Sequence, residues 1–567
     1  MEKKLCDLSR KKMLALVVLV VLGQLLCITI IFSKMKNGFY CDEMYSYGAA
    51  NSGGVLSPLD DIDEQNKYLN KWFDGKRIRD FIVLDKSEIF RYDLVNKALE
   101  IDGHPPLHFY LVHLFSSFVT GRFTKWTGFV LNAIAFFVLM LYVYRLALII
   151  SKCRFRALLI TFFFGYTTGA VNIVTFSRMY CLLCMLTVIF SFYSFRVLTS
   201  KDDVKAEKKN TLLSGLFMFL TAMTQYQGIV YGFFITLFVC IYLLVRNKIR
   251  SMFRYGFAML FSVALIVAVF PIVLKQLSEP QSPVDNSTNF PFIYQLRLSI
   301  NHIFGELFGI STPAHPTMFF FWFFWSCVMV FVIGIMMLFL FRKEEKTRIF
   351  IGHLKTLSLR IISKVKNLPD EFVIYMILLI ATINTLILSS RFLQIYYYFP
   401  YSDRYLFILY PFAVILILIP VFKLIRRNEL MVILCLILLF MSVKGHRAYY
   451  LNYVPQVYPM VEEKSKGADV VIVGLDSTVI LNMTSGIMDC NQCFVLTKYD
   501  YKKHLHELES LKDKESTIIL IMESSPVISV LEKNTPEEIM EDIKKLSITE
   551  NYQYLGTIGT AEVYQLR

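Results

Sequence analysis

The sequence predicts a polytopic α-helical membrane protein with a small α/β domain at its C-terminal end. Three observations predict it: an apolar-rich composition, long apolar runs whose links alternate in charge, and a change of composition after about residue 445. Of 567 residues, 55% are hydrophobic and 18% charged, with 50 Phe and 32 Tyr. Mean hydropathy is positive, outside the range of ordinary soluble domains. The formal net charge of +14 is concentrated in short links between apolar runs, as in cytoplasmic loops. No basic face interleaved with aromatic residues accompanies it, so the charge speaks of topology and not of nucleic acid.

Residues 1 to 12 hold Lys3, Lys4, Arg10, Lys11 and Lys12, and the apolar run from about Met13 to Phe32 crosses a bilayer at about 1.5 Å per residue. Positive charge before a first span keeps the N-terminus in the cytoplasm. No small-residue cleavage site follows, so the run reads as an uncleaved anchor. A polar stretch then makes a first external loop over about residues 34–125, too long for an idle connector. Within it, Asp61-Ile-Asp63 reads as solvated loop and Tyr92 to Leu99 as an amphipathic helix. The loop contains Asp102-Gly-His-Pro-Pro-Leu-His-Phe-Tyr110, where two prolines suit the first turn of a helix. The apolar run after them, Leu107 to Val119, is short for a full span and reads as a juxtamembrane helix on the outer side.

Further apolar segments fall at about 126–147, 157–175, 179–198, 211–226, 229–245, 255–276, 317–341, 371–390, 404–422 and 428–444. Every second link is basic: Arg145 to Arg156, Arg196 to Lys209, Arg246 to Arg254, Arg342 to Lys366, and Lys423 to Arg427. The alternation predicts about eleven spans, with the N-terminus inside and the C-terminus outside. In the tail, Ala468 to Gly474 and Ser516 to Met522 read as buried strands, Pro536 to Leu546 as an amphipathic helix, and Tyr552 to Gln565 as a hairpin. Residues 446–567 therefore read as an extracytoplasmic α/β domain, after a transmembrane domain of residues 1–445. Most of the eleven Cys lie in apolar segments; Cys490 and Cys493 are the exception, a C-x-x-C open to oxidation outside the membrane.

Under this topology one membrane face collects Asp42, Glu43, Asp102, His104, Arg178, Tyr180, Arg391, and Asp403-Arg404-Tyr405. Carboxylates at a bilayer edge are costly unless used or paired. A carboxylate serves as general base toward a hydroxyl, and an arginine neutralises a phosphate bidentately. That combination suits a hydroxyl attacking a sugar whose leaving group is a lipid phosphate. Each residue also has a plainer reading: Asp42 caps a helix while Glu43 acts as base, His104 fixes its loop through a backbone bond, and the arginines snorkel to headgroups.

At these residues the chain resembles the C-type membrane glycosyltransferases, the branch of protein O-mannosyltransferases and aminoarabinose transferases. The matching stretches are Cys41-Asp-Glu-Met-Tyr-Ser-Tyr47, Asp102 to Leu107, Ser177-Arg-Met-Tyr180, and Arg404 to Leu406 followed by Tyr410-Pro411. They occur in order over residues 1 to about 425. The resemblance implies an inverting, metal-independent transfer without a cofactor, from a polyprenyl-phosphate sugar donor to a hydroxyl acceptor. It implies Asp42 (or Glu43) as base, His104, Arg178, Tyr180 and Arg404 at the donor phosphate, and Asp102 and Tyr405 in support. It also favours a bacterial plasma membrane. Two departures stand out: Thr175-Phe-Ser177 supplies no acid before the Arg-Met-Tyr, and the C-terminal domain has no counterpart. The alternative is a lipid-linked glycan flippase, which calls for charges along a path through the bundle; the span interiors hold almost none.

Overall fold

The computed structural model describes residues 10–200, 203–278, 292–310, 368–390, 402–425, 427–445, 458–474, 479–497, 501–507, 518–523, 536–545, 552–558 and 561–566. Arg391, the expected span at 317–341 and the side chain of Asp403 lie outside them.

In chain order the first part comprises α1 (Arg10–Met35), α2 (Cys41–Asn51), β1 (Trp72–Asp74), α3 (Lys76–Ile82), α4 (Tyr92–Ile101) and α5 (Leu107–Ser116). The bundle continues with α6 (Trp126–Ser151), α7 (Arg154–Tyr166), α8 (Thr168–Thr175), α9 (Tyr180–Thr199), α10 (Val204–Ala222), α11 (Gln227–Val245), α12 (Ile249–Val269), α13 (Ile272–Ser278), α14 (Phe292–Phe308), α15 (Asp370–Ser389), α16 (Tyr410–Leu424) and α17 (Asn428–Gly445). The tail adds α18 (Tyr458–Ser465), β2 (Asp469–Gly474), α19 (Val479–Ile487), β3 (Gln492–Thr497), β4 (Ile518–Glu523), α20 (Pro536–Lys545), β5 (Tyr552–Ile558) and β6 (Ala561–Leu566).

The chain is a polytopic helical membrane protein. Among the described residues seven helices are long and apolar enough to cross a membrane, or eight if α7 and α8 count as one broken span. That pair is bent by 61° where a single span was expected. The cause is local: Thr167 accepts a hydrogen bond from Ala170 N while donating to Phe164 O, so it ends one helix and caps the next. Helix α5, at roughly 15 Å from its ten residues, is too short to cross, and Phe109, Val112 and His113 on it are buried.

The sheet has the order β1-β3-β2-β4-β6-β5. Its β3-β2-β4 centre is parallel, and both edges are antiparallel. Strand β2 is buried along its whole length, as parallel strands covered on both faces are. Val470 and Ile472 face one core while Val471 and Val473 face another, the two-residue alternation of a strand.

Strand β1 belongs to the first loop, yet pairs with β3 of the tail, Phe73 opposite Cys493. The first core is likewise shared: Met44, Tyr47 and Ala50 of α2 and Ile78 and Phe81 of α3 pack with Ile480, Ile487 and Val495. Each large side chain so buried contributes about 1.5–3 kcal/mol. The loop after α1 and the tail after α17 are thus joined in one sheet. Cys490 and Cys493 are both buried and unbridged, and burial pushes the Cys490 thiol up to about 12.

Candidate functional site

Helix α2 organises the site. Tyr40 is extended before it, and the Glu43 carboxylate accepts a bond from Tyr40 N at 2.9 Å, half of a capping box. Asp42 and Glu43 thus sit in the first turn, where negative charge meets the positive end of the helix dipole. Their roles in the fold differ sharply. Glu43 has no exposed surface. Its carboxylate accepts from Lys36 Nζ at 2.7 and 2.9 Å and from Ser177 N at 2.8 Å, besides Tyr40 N. It ties the end of α1, the start of α2 and the Ser177-Arg-Met-Tyr180 turn into one knot. Burial lowers the pKa of Lys36 against the opposing pull of Glu43.

Asp42 faces the other way. Its side chain is 22% exposed, and its Oδ2 lies 3.1 Å from Arg404 Nε. Burial pushes its carboxyl up, but Arg404, then Arg178 and His104, outweigh that and hold it below the usual carboxylate range. Arg404 is 4% exposed and lies over the rings of Tyr40 and Tyr405, 5.6 and 4.9 Å from their centres. Tyr180 meets Tyr405 edge to face and stacks on Phe176.

The second half of the site is the Asp102–His104 turn. His104 Nδ1 lies 2.9 Å from Asp102 Oδ1, and its Nε2 3.5 Å from Arg178 Nη2. An arginine only donates, so in its neutral form His104 accepts at Nε2 and donates from Nδ1 to Asp102. Burial raises the Asp102 carboxyl, and His104 and Tyr45 more than reverse it, leaving it below its ordinary value. Arg178 Nη1 donates to Ser46 Oγ at 2.9 Å, and the guanidinium lies 5.7 Å from the Tyr45 ring centre. One turn beyond, His108 is fully buried, and neither ring nitrogen has a hydrogen bond among the described residues. Burial above all drives its pKa down to about 3, so it is neutral.

All eight candidate residues therefore stand in one neighbourhood: Asp42, Arg404, Tyr405 and Tyr180 on one side, Asp102, His104 and Arg178 on the other, with Glu43 beneath them. Two carboxylates balance two guanidiniums. Asp42 and His104, with side chains 22% and 27% exposed, are open members together with the half-buried Tyr405.

The chain matches no protein-family model and no curated protein. Solved structures do resemble it. ArnT from Cupriavidus metallidurans bound to undecaprenyl phosphate aligns over 98% of each chain at 12% identity, with a TM-score of 0.43. The archaeal oligosaccharyltransferase AglB from Archaeoglobus fulgidus, in complex with an inhibitory peptide and a dolichol-phosphate, aligns over 89% of this chain and 69% of its own. Identity there is 10% and the TM-score 0.41.

Several residues of the site escaped the sequence reading. Tyr45 and Ser46 lie three and four residues after Asp42, hence on its face of the helix, a signal the sequence contains. Gln276 on α13 gives none. Its Nε2 donates to Leu99 O, Asp102 O and His104 O at 2.9, 2.7 and 3.4 Å, while its Oε1 accepts from Tyr226 OH. A single amide thus clamps the Asp102–His104 turn. Among the described residues no group of three or more His, Cys, Asp or Glu is arranged to hold a metal ion.

Proposed function

We propose that the protein is an inverting glycosyltransferase that moves a sugar from a polyprenyl-phosphate donor to a hydroxyl of an extracytoplasmic acceptor. The observation that carries this reading is the meeting of the partly exposed Asp42 with Arg404 and Arg178 at the start of a helix beside the bundle. The acceptor oxygen attacks the anomeric carbon, its proton passes to the Asp42 carboxylate, and the bond to the phosphate oxygen breaks with its electron pair leaving on the phosphate. Arg178 and Arg404, with His104 at their side, stabilise the charge that develops there. A phosphate leaves as an anion, so the step needs no general acid.

The ion pairs of Asp42 bear on its basicity. A bound phosphate competes with Asp42 for both guanidiniums, the charges that hold its pKa down. Donor binding therefore raises the basicity of Asp42 and prepares it to take a proton. Glu43 acts through the fold, holding the turn that carries Arg178. Residues 1–445 form the transmembrane unit and residues 446–567 the appended domain, with the first loop and the tail on the outer side of a bacterial plasma membrane.

The test is turnover of a labelled polyprenyl-phosphate sugar by protein in detergent, where no compartments exist and transport has no meaning. Release of the polyprenyl phosphate with transfer of the label is expected. A protein that binds the lipid but never breaks the sugar–phosphate bond is a flippase-like carrier, and the proposal falls. Mass analysis of the copurifying lipid names the carrier.

A further inference from the structure

The first loop carries an open cavity of about 450 Å³ that none of Asp42, His104, Arg178 or Arg404 lines. Its size suits a small-molecule or oligosaccharide segment. Its position is set by the same helix that carries Asp42. Ser52, just past the end of α2, stands at its wall, about 15 Å along the helix from Asp42 at 1.5 Å per residue. Its lining includes Phe73 and Asp74 of β1, the strand that joins the first loop to the tail sheet.

The lining mixes three kinds of group. Phe73 and Phe81 are buried and supply apolar surface together with Tyr68. Arg77 is fixed in the wall, stacked 3.9 Å from the Tyr68 ring centre and donating to Pro58 O and Asp60 O. Asp61 is paired with Lys67. Asp74, whose Oδ1 accepts from Lys76 N at 2.8 Å, stands exposed around the opening with Lys76 and Asp80, two acceptors and a donor. A polyanion meets carboxylates here and a polycation meets Lys76 and Arg77. A neutral polyhydroxylated ligand satisfies both signs, because each hydroxyl donates and accepts, and the CH faces of its rings rest on the aromatic walls.

We propose that this cavity is an acceptor subsite that binds neutral saccharide units of an acceptor glycan, at the opposite end of α2 from the hydroxyl that reacts at Asp42. The assignment rests on the glycosyltransferase reading for the word acceptor, while the saccharide site stands on the cavity alone. The full-length protein in lipid nanodiscs is applied to an array of neutral, acidic and amino glycans together with a set of unmodified peptides, with no donor present. Wild type is expected to be retained on neutral glycans. Asp74→Ala and Asp80→Ala weaken that retention about tenfold each, the effect of losing a hydrogen bond to a charged group. Asp93→Ala, in the same loop but paired with Arg91 outside the cavity, binds as wild type and controls for folding. Retention on peptides or acidic glycans alone, no retention on any glycan, or unchanged retention in the two cavity variants overturns the proposal. Because the array contains no donor, its failure leaves transfer at Asp42 untouched, and failure of transfer leaves the saccharide site standing.

Discussion

Replacing Glu43 by Gln removes one charge of a buried pair while keeping its shape. Neither Lys36 nor Glu43 has exposed side-chain surface, so the change leaves an ammonium buried beside a neutral amide. Breaking such a pair from one side costs about 3–5 kcal/mol. The amide has only one acceptor oxygen, whereas the carboxylate receives Lys36, Tyr40 N and Ser177 N. At least one donor is left unsatisfied, at about 1–3 kcal/mol more. If that donor is Ser177 N, the neighbouring Arg178 shifts, and a displacement of about 1 Å at a site costs about a hundredfold in rate. Thermal unfolding in detergent and donor turnover read the two effects together. Glu43→Gln is expected to melt well below wild type and to lose activity with it. Asp42→Asn, whose side chain is partly exposed, is expected to lose far less stability. A Glu43→Gln protein that melts like wild type yet transfers nothing refutes the assignment of Glu43 to the fold and makes it a candidate base.

Three further expectations follow from the same geometry. Gln276→Leu leaves the carbonyls of Leu99, Asp102 and His104 without their clamp, and initial rates should fall about ten- to a hundredfold with the protein still folded by size-exclusion chromatography; an unchanged rate removes Gln276 from the site. Gly75→Ala puts a Cβ about 2.0 Å from Cys490 O, so β1 should detach from β3 and exchange its amide hydrogens faster, whereas unchanged protection contradicts the tight docking. The Asp42 carboxyl is held below the usual value of about 3.9, so its ion pairs stabilise the fold above that value and the contribution is lost as pH falls through the depressed one. The acid limb of kcat/KM, a property of the free enzyme, should therefore lie below about pH 4, with the limb of kcat shifted upward once donor binds; an acid limb of kcat/KM near neutrality is the contrary result.

The bundle was legible because a membrane span needs about twenty apolar residues in a row. The tail strands Asp469–Gly474 and Ile518–Glu523 were legible for a related reason, since doubly covered strands are continuous apolar runs. β3 has four such residues between polar ones and β1 has three residues in all, too little to distinguish either from a loop. What stabilises β1 is a partner from the far end of the chain, and no local pattern encodes that. The break at Thr167 depends on one side chain choosing to cap, so a run of apolar residues read as one span became two helices.

In the site, Asp42, Asp102, His104, Arg178 and Arg404 could be gathered from motifs at membrane edges. The difference between Asp42 and Glu43 could not. Neighbours on a helix point about 100° apart, so one enters the knot and the other the open face, and which does so depends on how α2 docks against the Ser177 turn. Gln276 clamps its partners through backbone carbonyls, which every residue carries, so its role leaves no trace in sequence.

In the proposed reaction Asp42 takes the acceptor's proton while the arginines hold the phosphate. Wild type and Asp42→Asn are compared in detergent with a labelled polyprenyl-phosphate sugar, measuring transfer and lipid binding on the same samples. The variant is expected to bind the donor still and to transfer almost nothing. Full transfer by Asp42→Asn contradicts it.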